Sequence, residues 1–267
     1  MPAAFYKPDS DGFVATEATR GPWDPGAQHA GPPAALIGRA IEQLDGGRMT
    51  EGDGAPAQVG RITYEILRSV PIARVEVGAR VIRRGRRVEL VEAELTDGAE
   101  PLIQARGWRL RSDAVNFETP PRSRPVPPGP DRAEPRSFFA TGQDVGYHTA
   151  MDYRFVQGAF TESGPATVWM RMKLPLIAGE QPTPLQRVLV AADAGNGVSA
   201  ALDWTRYLFI NVDLSVHLHR MPEGEWICLD AVTRPEPDGI GIADTRLFDE
   251  RDSIGRGVQT LLIDERS

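Results

Sequence analysis

The sequence predicts an α+β protein of two tandem units, each a helix wrapped by an antiparallel sheet. Each half contains one helical pattern accompanied by strands whose apolar residues alternate. A proline-rich stretch separates the halves. The segment Ile62-Thr-Tyr-Glu-Ile-Leu-Arg-Ser-Val-Pro71 parallels Val212-Asp-Leu-Ser-Val-His-Leu-His-Arg-Met-Pro222, and each ends in a proline that begins a turn. A repeat of this size signals duplication of a whole domain rather than a solenoid.

In the first unit, residues 1–112, Phe13 to Thr16 predicts a short strand before a turn-rich run from Gly21 to Pro33. The helix follows over Ala34 to Leu44, with Leu36, Ile37, Ala40, Ile41 and Leu44 at helical spacing. Pro32 and Pro33 suit a first turn, where a missing N–H is harmless, and Asp45-Gly-Gly ends the helix. Alternation predicts strands at residues 61–66, 73–82, 87–95 and 102–110, with turns at Arg84-Gly85 and Asp97-Gly98. Such strands bury one face and offer the other to water or a partner.

Residues 113–136 hold seven prolines, including Pro120, Pro121 and Pro135, which predicts an extended linker unsuited to helix or ladder. In the second unit, residues 137–267, strands are expected at Met151–Phe160 and Thr167–Lys173. Thr183 caps a helix that opens on Pro184 and runs to Ala192, where Asp193-Ala-Gly-Asn-Gly interrupts it. Further strands are expected at Leu208–His219, Glu225–Arg234, Ile240–Phe248 and Gly257–Ile263.

Composition narrows the function. A formal charge of -7 and a pI near 5.2 argue against a nucleic-acid partner, which would need clustered Lys and Arg. The run Arg80-Val-Ile-Arg83-Arg84-Gly-Arg86-Arg87 is the local exception. It reads either as a solvated hairpin tip or as an attractor for an anionic substrate. No apolar stretch approaches the ~20 residues of a membrane span, and the N-terminus lacks a basic segment followed by an apolar run. A cytoplasmic protein without membrane partner is the expectation. The lone Cys228 excludes an intrachain disulfide and a thiolate metal cluster, and reads as an apolar strand residue. His217 and His219 share a strand face but lack a third ligand at motif spacing, so no metal is expected. No Gly-x-Ser-x-Gly, phosphate loop or dinucleotide pattern occurs, and no cofactor is expected. Trp23, Trp108, Trp169, Trp204 and Trp226 read as core or sheet-edge packing.

Several segments together resemble the TesB-like acyl-CoA thioesterases, whose fold is a double hotdog. Phe209-Ile-Asn-Val-Asp-Leu-Ser-Val-His-Leu-His-Arg220 resembles their strand ending in Asp-x-Ser-x-x-x-His-Arg, and Glu223-Gly-Glu-Trp226 resembles the turn after it. Phe248-Asp-Glu-Arg-Asp-Ser-Ile-Gly-Arg-Gly-Val-Gln259 resembles their closing hairpin. His29-Ala-Gly-Pro-Pro-Ala-Ala-Leu36 resembles the glycine-containing start of their first helix. The resemblance covers both halves and omits the linker. It implies hydrolysis of an acyl thioester, carried by coenzyme A or a related carrier, with an Asp, a Thr and a Gln around the water. These fall on Asp193, Asn211 and Gln259, so an amide stands where the family has a hydroxyl.

A helical carboxylate at Asp193 can act as general base, while the amides of Asn211 and Gln259 do not titrate and could position the water. Backbone N–H groups at a helix start near Gly31 could meet the oxyanion, with His29 beside them in substrate binding. Each residue also has a plainer reading. Asp193 lies in good turn chemistry, Gln259 and Asn211 could be ordinary strand polar residues, and His29 could cap the helix start. Two other functions stand beside the thioesterase reading. Asp24 and His29, followed by Ala35, match the bare spacing of the hotdog hydratases without their intervening Asn-Pro. A non-catalytic acyl-thioester-binding protein is the third reading. Two tandem hotdogs can pair as a pseudo-dimer, and further homo-oligomers stay open.

Overall fold

The computed structural model describes residues 2–118 and 125–266; Pro120 and Pro121 lie outside the described residues. The first unit opens on a hairpin, β1 (Tyr6–Asp9) and β2 (Gly12–Ala15). The long helix α1 (Gly31–Gln43) precedes four strands, β3 (Ala57–Ile66), β4 (Arg74–Arg83), β5 (Val88–Thr96) and β6 (Pro101–Arg111). In the second unit come β7 (Glu134–Pro135), the single turn α2 (Tyr147–Ala150), β8 (Met151–Gln157) and β9 (Ala166–Met172). The helices α3 (Pro184–Ala192) and α4 (Gly195–Val198) follow. The chain closes with β10 (Tyr207–Asn211), β11 (Asp213–Leu218), β12 (Ile227–Pro235), β13 (Ile240–Phe248) and β14 (Ser253–Glu265).

These strands form one continuous sheet in the order β1-β2-β4-β5-β6-β3-β11-β14-β13-β12-β9-β8-β7, with β10 also on β14. The seam between the units is the antiparallel pair β3–β11, where Tyr64 faces Leu214, Thr63 faces Ser215 and Glu65 faces Asp213. That register is symmetric under the spacing that relates Ile62 to Val212, so the Tyr64–Leu214 pair marks a pseudo-twofold axis. Tyr64 also donates from its hydroxyl to Ala34 O at 3.0 Å, which ties the seam to α1.

The alternation expected from sequence is realised on β5, where Val91, Ala93 and Leu95 point inward. They pack with Leu36, Ile37 and Ile41 of α1 in a core that also takes in Val188 and Leu189 of α3, so the two units share one interior. The helices α1 and α3 touch closely because Gly38 lacks a side chain; a Cβ there would meet Leu189 Cδ1 at 2.2 Å.

Three expectations change. β1 went unpredicted because Pro8 lies within it, a residue tolerated on a sheet edge but not in a central ladder. The proline-rich stretch is not wholly irregular: Pro130–Arg132 forms a 3-10 turn, and Glu134 and Pro135 pair with Phe155 and Arg154. The strand expected over Leu208–His219 is two strands, broken at Val212 between Asn211 and Asp213. The arginine-rich run falls at the end of the β4–β5 hairpin, where Arg80 is paired with Glu92. His217 is exposed on β11, and among the described residues no group of His, Cys, Asp and Glu could hold a metal ion. Nor, among them, is any helix long and apolar enough to cross a membrane.

Candidate active site

The site forms where the C-terminus of α3 meets the N-terminus of α1. Thr183 caps α3, its hydroxyl accepting from Gln186 N–H at 3.2 Å, and the helix runs to Ala192 with Asp193 as C-cap. A carboxylate at a helix C-terminus is opposed by the helix dipole, so burial there demands local donors. Asp193 is 7% exposed and has three. Asn211 Nδ2 lies 2.9 Å and Gln259 Nε2 3.2 Å from Oδ1, while His29 Nδ1 lies 3.1 Å from Oδ2.

His29 comes from the other unit, on the loop leading into α1. That loop is clamped by backbone bonds from His29 N–H to Thr19 O (2.7 Å) and from Gln28 N–H to Val70 O (2.8 Å). The imidazole stacks on Tyr147 at 3.8 Å between centroids, with 9° between planes. Tyr147 is fixed in turn by its hydroxyl, which donates to Val190 O at 2.7 Å. Burial pushes the His29 pKa below its ordinary value, although the Asp193 carboxylate pulls it the other way. The shift favours the neutral form of this partly buried imidazole, the form that can accept a proton.

His29 Nδ1 has two neighbours that demand opposite tautomers: Asp193 Oδ2, and Gly31 N–H at 3.1 Å. Beside an ionised carboxylate the protonated Nδ1 is favoured, because a bare nitrogen lone pair would face a negative oxygen. In that tautomer Nδ1–H donates to Asp193, Nε2 carries the lone pair, and Gly31 N–H is released as a donor at a helix N-terminus.

Gln259, buried on β14, is oriented at both ends. Its Oε1 accepts from Asn196 N–H at 3.0 Å, which turns Nε2 toward Asp193, where it reaches both the carboxylate and the backbone oxygen (3.1 Å). Asn196 Nδ2 donates to Phe209 O at 2.9 Å and so holds β10, which carries Asn211.

The structure therefore brings together Asp193, Asn211, Gln259, His29 and Gly31. The two amides reach the carboxylate itself, so they hold Asp193 where the sequence suggested contact with water. Asp24 stands apart: it is exposed, and its Oδ1 accepts from Gly26 N–H at 2.8 Å within its own turn. The Asp24–His29 pairing considered for a hydratase is thus replaced by His29–Asp193. Asn196 and Tyr147 went unrecognised in the sequence. The spacing of Asp193 and Asn196 across one helical turn was the available signal for the first. Tyr147 follows an irregular segment and offered none.

The site is built once. The spacing that carries Ile62 to Val212 relates Asp193 to Gln43, Asn211 to Arg61 and His29 to Gly179, the strand registers relate Gln259 to Ala105, and none of these repeats the chemistry. Where Gln259 stands in one unit, Ala105 stands in the other, facing Tyr64 on β3 and Ala93 on β5.

This architecture is a double hotdog, and comparisons with known proteins agree. A candidate thioesterase II from Thermobifida fusca superposes with a TM-score of 0.74 at 17% identity, covering 98% of this chain and 96% of that one. A conserved hot dog-fold protein of unknown function from Alicyclobacillus acidocaldarius gives 0.70 at 13%, covering 98% and 96%. The tesB protein of Mycobacterium avium subspecies paratuberculosis gives 0.68 at 12%, covering 95% and 92%. A search of curated proteins found no match. Family models for the acyl-CoA thioesterase N-terminal domain and C-terminal domain match residues 19–110 and 125–263. The chain belongs to the TesB-like acyl-CoA thioesterase family.

Proposed function

We propose that the protein hydrolyses an acyl-CoA thioester to the free acid and thiol, with His29 and Asp193 acting as one base. The observation that carries this reading is the 3.1 Å approach of His29 Nδ1 to Asp193 Oδ2, made across the two units. Asp193 orients the imidazole and stabilises the charge it gains, and Nε2 takes a proton from water as the oxygen attacks the thioester carbonyl carbon. Gly31 N–H, at the start of α1, meets the oxyanion. Collapse of the tetrahedral intermediate breaks the C–S bond, and the imidazolium returns its proton to the departing sulfur. Asn211 and Gln259 are positioning residues: their amides hold the carboxylate in place.

The test is thiol release from short, medium and long acyl-CoAs, with Asp193→Ala as control. Release that disappears in a folded Asp193→Ala protein supports the mechanism, and full activity in that variant overturns it. Water addition to an enoyl thioester with the C–S bond intact would favour hydration instead. An absence of turnover on every thioester would favour the binding reading.

A further inference from the structure

A cluster of aromatic rings packs on Phe209, two residues along β10 from Asn211. Trp23 lies on the loop that delivers His29, and its ring packs edge-on against Phe209 at 5.9 Å. Phe209 and Asn211 share the inward face of β10, about 7 Å apart at strand rise. Phe139 stacks on Trp204 at 4.9 Å and 25° and on Trp23 at 5.6 Å and 28°, so it sits against the faces of both. Three separate segments converge here, although their sequence suggested only core or edge packing for the tryptophans.

Phe139 differs from its neighbours in how its backbone is held. Among the described residues, residues 137–145 take part in none of the backbone bonds of turns, loops and caps. They are tied instead through side chains, Arg20 Nη1 donating to Val145 O at 2.8 Å and Gln143 N–H to Thr141 Oγ1 at 3.1 Å. Trp23, by contrast, belongs to a loop closed by bonds from Gly21 N–H to Ala27 O and from Ala27 N–H to Asp24 O. Segments with few backbone bonds open at low cost.

A thioester placed with its carbonyl between Gly31 N–H and His29 Nε2 must send its acyl group one way and its thiol arm the other. The flank leading through Phe209 to Trp23 and Trp204 offers ring faces, which suit an apolar acyl group better than the amide-rich pantetheine arm.

We propose that Trp23 and Trp204 form the walls of the acyl subsite, that Phe139 fills it in the free protein, and that it favours an acyl group bearing a planar ring. The inference rests on the thioesterase reading and adds the substrate class. An entering ring replaces Phe139 in the offset stack, while segment 137–145 moves aside with its side chain.

The test compares kcat/KM for thiol release from phenylacetyl-CoA and octanoyl-CoA in the unmodified protein and in Trp204→Leu, Trp23→Leu and Phe139→Ala. The unmodified protein should favour phenylacetyl-CoA. Either tryptophan variant should lower the phenylacetyl-to-octanoyl ratio by about two- to tenfold, the worth of a stacked aromatic pair. Phe139→Ala should raise that ratio, since it removes the competing ring. A preference for octanoyl-CoA in the unmodified protein, or one ratio common to all four proteins, overturns the proposal. Release of thiol from neither substrate nor any other thioester would fell the thioesterase reading itself, and this inference with it.

Discussion

Gly31 and Val190 stand so close that a Cβ on the glycine would come within 2.3 Å of the Val190 carbonyl oxygen. The contact presses the first residue of α1 against the last turn of α3, which puts Gly31 N–H beside the His29–Asp193 pair. Gly31 does not have the positive φ that would itself demand glycine, and helix propensity favours alanine. Any loss in Gly31→Ala therefore reports the contact. The methyl group should cost about 1–3 kcal/mol in urea unfolding as an overpacked site. On the proposed mechanism it should also lower kcat by about 10²–10³-fold, as loss of an oxyanion donor does. Alanine with native kcat would show that the added methyl is absorbed without moving the main-chain N–H, which alanine retains, off the oxyanion.

Asp193→Asn preserves shape but replaces an acceptor oxygen with an amide. Its Oδ2 position could no longer secure the Nδ1–H tautomer of His29, because a donor would face a donor. A fall in kcat of about 10³–10⁴-fold is expected, the scale seen when the orienting carboxylate of a base pair is neutralised. His29→Gln, which keeps a polar side chain without a titrating nitrogen, should fall comparably, and the double variant little further. Additive losses in a double-mutant cycle would show two independent groups instead of one base.

The pH profile follows from the direction of the His29 shift. Burial holds its pKa below the usual 6.5. Protonated Nε2 cannot act as a base, so log kcat/KM should fall on the acid side with a midpoint below 6.5 and level off above it. Removing the Asp193 charge takes away the influence that raises this pKa, so residual activity in Asp193→Asn should titrate at still lower pH. The same shift makes stability rise with pH: between the folded and unfolded pKa values the unfolded chain binds more protons, and the contribution fades as pH falls through that window. A limb centred above 6.5 in the unmodified protein would exclude His29 as the titrating base.

The fold was legible because its signals are local: alternation on β5, the Thr183-Pro184 helix start, and a duplicated strand block. The site was legible only in part. Three of the motifs that suggested the family also meet away from the site, in one structural knot. Arg220 follows β11, Glu223 opens the next turn and Asp249 follows β13, and all three meet at the Asp249 carboxylate. Those residues signal the fold and carry no chemistry at the site. The His29–Asp193 pair joins residues far apart in sequence through the packing of α1 on α3, which no periodicity encodes. The nearer Asp24 was the only partner that spacing could suggest.

The Asp249 knot is testable by stability alone. Its carboxylate accepts from both Arg220 Nη atoms at 2.5 Å and from the backbone N–H of Glu223 (2.7 Å), Asp252 (2.8 Å) and Arg251 (2.9 Å). Burial opposes ionisation, but these donors outweigh it and hold the pKa at about 2. The depressed value means that the contribution to stability is present above 3.8 and is lost as pH falls through about 2. Asp249→Asn should lose about 2–4 kcal/mol in urea unfolding at neutral pH. The loss should shrink in acid, with kcat unaffected at temperatures where the variant is folded. An equal loss at pH 2 and pH 7 would show that the charge contributes nothing.

Asn211 is the departure from the family pattern, and its geometry says what a replacement must supply. Nδ2 donates to Asp193 Oδ1 at 2.9 Å and to Asp213 O at 3.2 Å, so one amide both holds the carboxylate and pins the break between β10 and β11. A hydroxyl has a single proton and can serve only one of these acceptors. In Asn211→Thr the ionised carboxylate is the stronger acceptor, so the proton should go to Asp193 and kcat should stay within about tenfold of the unmodified protein. Asn211→Leu removes the donor and keeps a comparable volume. Loss of one hydrogen bond to a charged group, about 1.5–3 kcal/mol, should then lower kcat by about 10–100-fold. It should also shift the acid limb of the profile, because a carboxylate no longer held by Nδ2 would face His29 Nδ1 less squarely and lend the imidazolium less support. Recovery of both kcat and the limb in the threonine variant would assign the effect to donation. If leucine and threonine behave alike, the side chain serves packing, and Gln259 with His29 is enough to hold Asp193.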